Sequence, residues 1–147
     1  MNAKEKATVS IETTIEATIE EVWQAWTDPT CVRQWFGSDP NGKVLSANLD
    51  VRPGGHFEVT FLDSDGTEHT CSGKYDSVKR FSRLSSSWMW KSEPGVVSFI
   101  NISLIPFDTG TRMIFIHSNL GNESKHDYFI GWQSTFSKLK KLLEQKQ

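Results

Sequence analysis

Cysteine is scarce: Cys31 and Cys71 are the only two, and neither belongs to a Cys-x-x-Cys pair or a histidine-rich cluster. That excludes a disulfide framework, and both are read as reduced thiols. No apolar run approaches the roughly 20 residues that cross a bilayer. The start of the chain, Met1 to Ala7 with Lys4, Glu5 and Lys6, lacks the apolar centre of a signal peptide. The expected location is cytoplasmic. No charge of one sign dominates, since 16 Lys and Arg stand against 18 Asp and Glu for a net charge of −2. Neither nucleic acid nor a membrane is an expected partner. Internal repeats and low-complexity tracts are also missing, and 147 residues then suit one domain over 1–147, its ordered core at about 9–145.

Aromatic residues, by contrast, are plentiful, with six Trp and nine Phe spread over the whole chain. Many fall in one place. From Ser124 to Gln145 the apolar residues Tyr128, Phe129, Trp132, Phe136, Leu139, Leu142 and Leu143 occupy one sector of a helical wheel, while Ser134, Ser137, Lys138, Lys141 and Gln145 lie opposite. The spacing predicts a long amphipathic helix that covers an apolar surface. Ile130 lies off the stripe, and Gly131 is costly inside a helix unless something approaches the backbone there.

The rest of the chain supplies that surface. Thr8 to Ile15 alternates as a half-buried strand and an edge. Thr18 and Glu21 have capping-box spacing, so a helix starts at Ile19 with Val22, Trp23 and Trp26 on its apolar face. Asp28 and Pro29 open a second, short helix that turns Val32, Trp35 and Phe36 inward and stops at Gly37. From Val44 to Leu120 the period is two. Leu45, Ala47, Leu49 and Val51 share a face; so do Phe57, Val59 and Phe61; then His69, Cys71, Gly73 and Tyr75; then Leu84, Ser86, Trp88 and Trp90; then Ile100, Ile102 and Leu104. In the last strand Met113, Phe115 and His117 face one way and Ile114 and Ile116 the other, and the pattern leaves the direction open. Arg52-Pro53-Gly54-Gly55 and Asp65-Gly66 are turn chemistry; the former precedes a strand and so is not a phosphate loop. The result is an α+β chain in which six strands in meander order present one face to the terminal helix.

Several motifs now coincide in order: Ala17 through Pro29, Trp35-Phe36-Gly37, Arg52 through Phe57, Gly110-Thr111-Arg112 with His117-Ser118, and Gly131-Trp132 leading into Leu139 and Leu142. Over about Val9 to Leu143 the chain resembles the activator of heat-shock protein 90 ATPase homologue family, part of the START-like, helix-grip superfamily also called SRPBCC. The resemblance implies a curved antiparallel sheet gripping one long C-terminal helix, two short helices at one end, the order β-α-α-β-β-β-β-β-β-α, and a cavity between sheet and helix. It implies an interior lined by Phe57, Val59, Phe61, Cys71, Tyr75, Ser86, Trp88, Trp90, Ile102, Met113, Phe115 and His117, with Leu49 and Ile100, facing Phe129, Trp132 and Phe136.

The expected function is binding of a small, largely apolar ligand there, with Ser86 among tryptophans enlarging the space, in a cavity of about 300–1,000 Å³. The alternative is a chaperone-associated protein-interaction module, a regulator of heat-shock protein 90 ATPase or of a stress response acting through its outer surface. A weaker alternative is a cyclase-like or hydrolase-like enzyme with Tyr75 and His117 as an acid and base pair. No carboxylate or activated nucleophile completes a familiar constellation, so the reading leans away from catalysis and assigns no catalytic residue. His117 is expected as a buried, hydrogen-bonded neutral ring, or else as a polar anchor for the guest. His69, Cys71 and His117 lack zinc-site spacing, and neither metal nor cofactor is expected. Glu20 and Glu21, at a helix start, and Lys138, Lys140 and Lys141, near a helix end, are read as solvated charges that complement helix dipoles. Monomer and homodimer are both open, because the first strand leaves an edge.

Overall fold

The structure, a computed structural model, describes residues 6–145. Its elements are β1 (Lys6–Ile15), α1 (Ile19–Thr27), α2 (Pro29–Val32), β2 (Lys43–Leu49), β3 (His56–Leu62), β4 (Glu68–Lys79), β5 (Arg83–Trp90), β6 (Ser98–Phe107), β7 (Gly110–Gly121) and, after a 3-10 turn at Asn122–Ser124, α3 (Lys125–Glu144). This is the expected helix-grip order. Of the stretch read for a signal peptide, residues 1–5 lie outside the described ones, as do 146 and 147.

Seven strands form one curved antiparallel sheet in the order β1-β7-β6-β5-β4-β3-β2. The meander runs from β2 to β7, and β1 returns beside β7, so β1 and β2 are the edges. Local chemistry starts the helices where expected. The Thr18 hydroxyl accepts from the Glu21 amide at 3.1 Å and the Glu21 carboxylate accepts from the Thr18 amide at 2.9 Å, a complete capping box. Asp28 caps α2 by accepting from the Thr30 amide at 2.9 Å, with Pro29 at its first position. The helix itself ends at Val32, and single turns carry Trp35 and Phe36 to buried positions before Gly37, whose φ of +106° reverses the chain. A side chain there would also meet the Phe61 ring at 3.1 Å, so glycine is needed twice over.

One face of the sheet is the core, and two groups of elements cover it. Trp132 and Phe136 of α3 lie over Phe115 of β7, with ring centroids 4.5 and 5.0 Å away. Trp26, Val32 and Phe36 cover the other half, where Phe57, Val59, Leu84 and Ile102 point inward. The direction of β7 that the pattern left open is settled: Met113, Phe115 and His117 are inside at 0% exposure. A correction is needed in β2. A bulge between Val44 and Ser46 shifts the register, so Val44 joins Ala47 and Leu49 against the core and Leu45 turns outward at 40% exposure. The lysines of α3 also differ from expectation. Lys138 donates to the Asp39 carbonyl at 3.0 Å, and Lys140 donates to the Thr14 carbonyl and to Glu144, so both tie the helix to neighbouring segments.

Candidate functional site

The interior between sheet and helix is largely filled with rings. Trp26, Trp35, Phe36, Trp88, Phe115, Trp132 and Phe136 contact one another with centroids 4.5 to 6.3 Å apart, in edge-to-face, tilted and stacked pairs. Two spaces remain. The larger, about 290 Å³, opens beside the first half of α3. Its walls are Phe61 of β3, Trp88 and Trp90 of β5, and Phe36, Gly37 and Ser38 of the loop after α2. From the helix side come Tyr128, Gly131, Trp132 and Thr135, and at the mouth stand Glu93, Ser124 and Asp127. The smaller, about 40 Å³, lies deeper and is bordered by Phe57, Val59, Tyr75, Ser86, Ile100 and Ile102. Phe36 and Trp88 border both and stand between them, their centroids 6.1 Å apart.

The mouth is held by hydrogen bonds rather than by packing alone. The Ser134 hydroxyl donates to the Ser38 carbonyl at 2.6 Å, and Lys138 reaches the next carbonyl, that of Asp39. The Asp39 carboxylate in turn accepts from the Ser64 amide and hydroxyl, each at 2.7 Å, and from the Asn41 amide, which brings its pKa down to about 2. The loop after α2 is thus tied to α3 and to the β3–β4 turn. Gly131 faces the loop at Ser38: a methyl group added there would stand 3.7 Å from the Ser38 side chain, an ordinary contact.

On the pocket floor, the Trp90 indole N–H donates to the Tyr128 hydroxyl oxygen at 2.8 Å. The Trp88 indole N–H is the one buried side-chain polar atom without a partner among the described residues. Burial raises the pKa of the Tyr128 phenol; the Trp90 hydrogen bond works against that rise, the Glu93 charge adds to it, and Trp88 again opposes it.

Of the residues expected to line one continuous cavity, the structure divides the set. Phe61, Trp88, Trp90 and Trp132 border the pocket; Phe57, Val59, Tyr75, Ser86 and Ile102 border the inner void with Trp88. Cys71, Met113, Phe115 and Phe136 are closed into the core. Phe129 is turned toward a separate small cluster of Ala7, Val9 and Leu120. Its place at the pocket is taken by Tyr128, one residue earlier. Tyr128, Gly131, Phe36 and the polar rim were not on the expected list, although the oddity of a glycine at position 131 marked that part of the helix.

His117 is inside but at neither space. Trp132 Nε1 donates to its Nδ1 at 3.1 Å, so the ring proton sits on Nε2, 2.7 Å from the Ser98 hydroxyl. Both nitrogens are engaged. Burial without a charged partner lowers its pKa to about 3 from 6.5, so the ring is neutral. Tyr75 borders the inner void, and burial pushes its phenol well up. The pair weighed as acid and base therefore shares no cavity. His69 is engaged with Asp63 at 2.8 Å. Among the described residues no group of three or more His, Cys, Asp or Glu is placed to hold a metal ion, and no helix is long and apolar enough to cross a membrane.

The family model described as Activator of Hsp90 ATPase homolog 1-like protein matches residues 16–144. No curated protein matches the chain. Among solved structures, the fold is similar to that of a Nitrosomonas europaea protein at 24% identity, over 94% of both chains, with a TM-score of 0.81. It is similar also to a Rhizobium leguminosarum protein at 26% identity over 98% of both chains, TM-score 0.82. The solution structure of an AHSA1-like protein from Aeromonas hydrophila is 24% identical over 94% of this chain and 92% of that one, TM-score 0.79. These likenesses carry the fold.

Proposed function

We propose that this chain, which belongs to the family of Activator of Hsp90 ATPase homolog 1-like proteins, binds a small, largely apolar molecule in the pocket beside the first half of α3. One observation carries the reading: an open space of about 290 Å³, walled by Phe36, Phe61, Trp88, Trp90 and Trp132, in an interior otherwise closed by rings. That size is near the lower end for small-molecule sites, about 300 Å³. Membership in the family and the helix-grip fold supports ligand-binding or cyclase-like use of the interior in general terms. The guest fits as one compact ring system, because Phe36 and Trp88 close the way to the inner void. The test uses N-phenyl-1-naphthylamine, a neutral apolar dye. Saturable uptake at one dye per chain supports the reading, and no rise in dye emission up to its solubility limit overturns it.

A second reading has its own support. On the outer face of β6 and the loop before it, Val96, Val97, Phe99, Ile105 and Phe107 stand 38 to 62% exposed. Apolar side chains grouped in this way suit contact with another protein, and the family description makes a heat-shock protein 90 chaperone the first partner to try. Adding the purified chain should change that chaperone's ATPase rate, and Phe99→Ser should cancel the change. An unmoved rate at saturating protein removes this reading and leaves the pocket untouched.

A further inference from the structure

We propose that the Tyr128 hydroxyl is the pocket's hydrogen-bond donor, and that the guest it selects is a neutral aromatic molecule bearing an acceptor oxygen, such as an aryl ketone. This rests on the small-molecule reading above. A phenol oxygen has two lone pairs and one proton. The Trp90 N–H takes one lone pair at 2.8 Å. With that lone pair taken, the hydroxyl proton points away from the Trp90 nitrogen. No acceptor among the described residues receives that proton. It belongs to a residue that lines the pocket.

The donor is also a strengthened one. An O–H whose oxygen already accepts from an N–H is more polarised, and the effect grows in surroundings of low dielectric.

Charge narrows the class. The charged groups lining the pocket are Glu93 and Asp127, both carboxylates, and no Lys, Arg or His joins them. A carboxylate guest would meet repulsion with nothing to answer it, which favours a neutral molecule. Trp88 and Trp132 stand 5.3 Å apart at 62°, and Trp88 and Trp90 5.3 Å apart at 84°, so ring faces and edges both look into the space. A flat aromatic body finds contacts of each kind there.

The test compares 2-acetylnaphthalene with 2-ethylnaphthalene, of similar shape but without the oxygen, and with 2-naphthoate, by calorimetry on the full chain. Tyr128→Phe should weaken the ketone about fivefold to tenfold, the usual worth of one hydrogen bond, and leave the hydrocarbon unchanged. The naphthoate should bind least. A readout independent of any variant is the carbonyl stretch of bound 2-acetylnaphthalene, which should lie below its position in hexane. If the ketone binds but its stretch stays at the hexane position, or if Tyr128→Phe weakens both guests alike, the inference fails and the pocket reading stands. If none of the three binds, the pocket reading fails and takes the inference with it.

Discussion

Replacing Gly131 sets helix stability against pocket space. Glycine inside a helix costs about 1 kcal/mol relative to alanine, through the backbone freedom it loses on folding. At this position nothing obvious demands it for backbone reasons. A Cβ would rest 3.7 Å from the Ser38 Cβ, an ordinary van der Waals contact, and no positive φ is involved. Gly131→Ala should therefore stabilise the protein by about 0.5–1 kcal/mol, which in a chain of this size raises the melting temperature by about 1–4 °C. Gly131→Leu keeps most of that helical gain, since leucine is nearly as good a helix former, and extends three further carbons where Gly131 lines the space. Uptake of N-phenyl-1-naphthylamine should then fall at least tenfold although the protein is no less stable. The assay pairs urea unfolding with dye titration on the same samples. Wild-type affinity in a folded Gly131→Leu variant would place the dye elsewhere and refute the argument; a destabilised Gly131→Ala would show that the loop and helix meet more tightly than 3.7 Å allows.

Two other outcomes follow from buried groups. His117 has a folded pKa of about 3 and an ordinary value of 6.5, so below 6.5 the unfolded chain binds a proton that the folded one does not. Its contribution to stability is complete above pH 6.5 and drains away as the pH falls toward 3, about 2 kcal/mol being lost between pH 7 and pH 5. Urea midpoints should show this loss in the wild type, and in His117→Gln the difference between those two pH values should nearly vanish; an equal loss in both proteins would contradict the neutral, hydrogen-bonded ring. For the thiols, Cys71 is wholly buried and its pKa is pushed far up, while burial and then the Asp28 charge raise that of the partly buried Cys31. A disulfide reagent such as 5,5′-dithiobis(2-nitrobenzoate) should modify one thiol slowly in the native protein and two in urea, and two fast native thiols would deny the closed β4 interior.

The parts of this architecture written in local chemistry were legible from the residues. Thr18 with Glu21 and Asp28 with Pro29 start helices because the hydrogen bonds they make lie within one turn. Strand alternation placed Cys71, Tyr75, Trp88 and Ile102 inside because the pleat gives no other choice once one face is apolar, whereas both faces of β7 are apolar and only the family resemblance pointed His117 inward. What failed was register beyond a bulge. The extra residue in β2 is invisible in an alternating pattern, and Leu45 was assigned to the wrong face for that reason. The outline of the pocket was hidden by a different cause. Apolar pattern marks what is buried, and the centre of the grip proved to be filled; the opening lies where polar and small residues, Ser38, Gly131 and Thr135, meet across a loop and a helix that are distant in sequence. Phe129 and Tyr128 are adjacent on the same stripe and both pack against the β1 cluster, and a helical wheel has no means of telling that Tyr128 alone also reaches Trp90 and the pocket.

Binding of a guest in the space beside α3 is reported directly by the indole N–H signals of the six tryptophans. In a nitrogen–proton correlation spectrum titrated with 2-acetylnaphthalene, Trp88, Trp90 and Trp132, which border the pocket, should shift together and saturate at one equivalent. Trp35, whose N–H is held by the Ala25 carbonyl at 3.0 Å, and Trp23, beside Phe81, should stay where they are. Shifts confined to those two, or a spectrum that does not change at all, would contradict it.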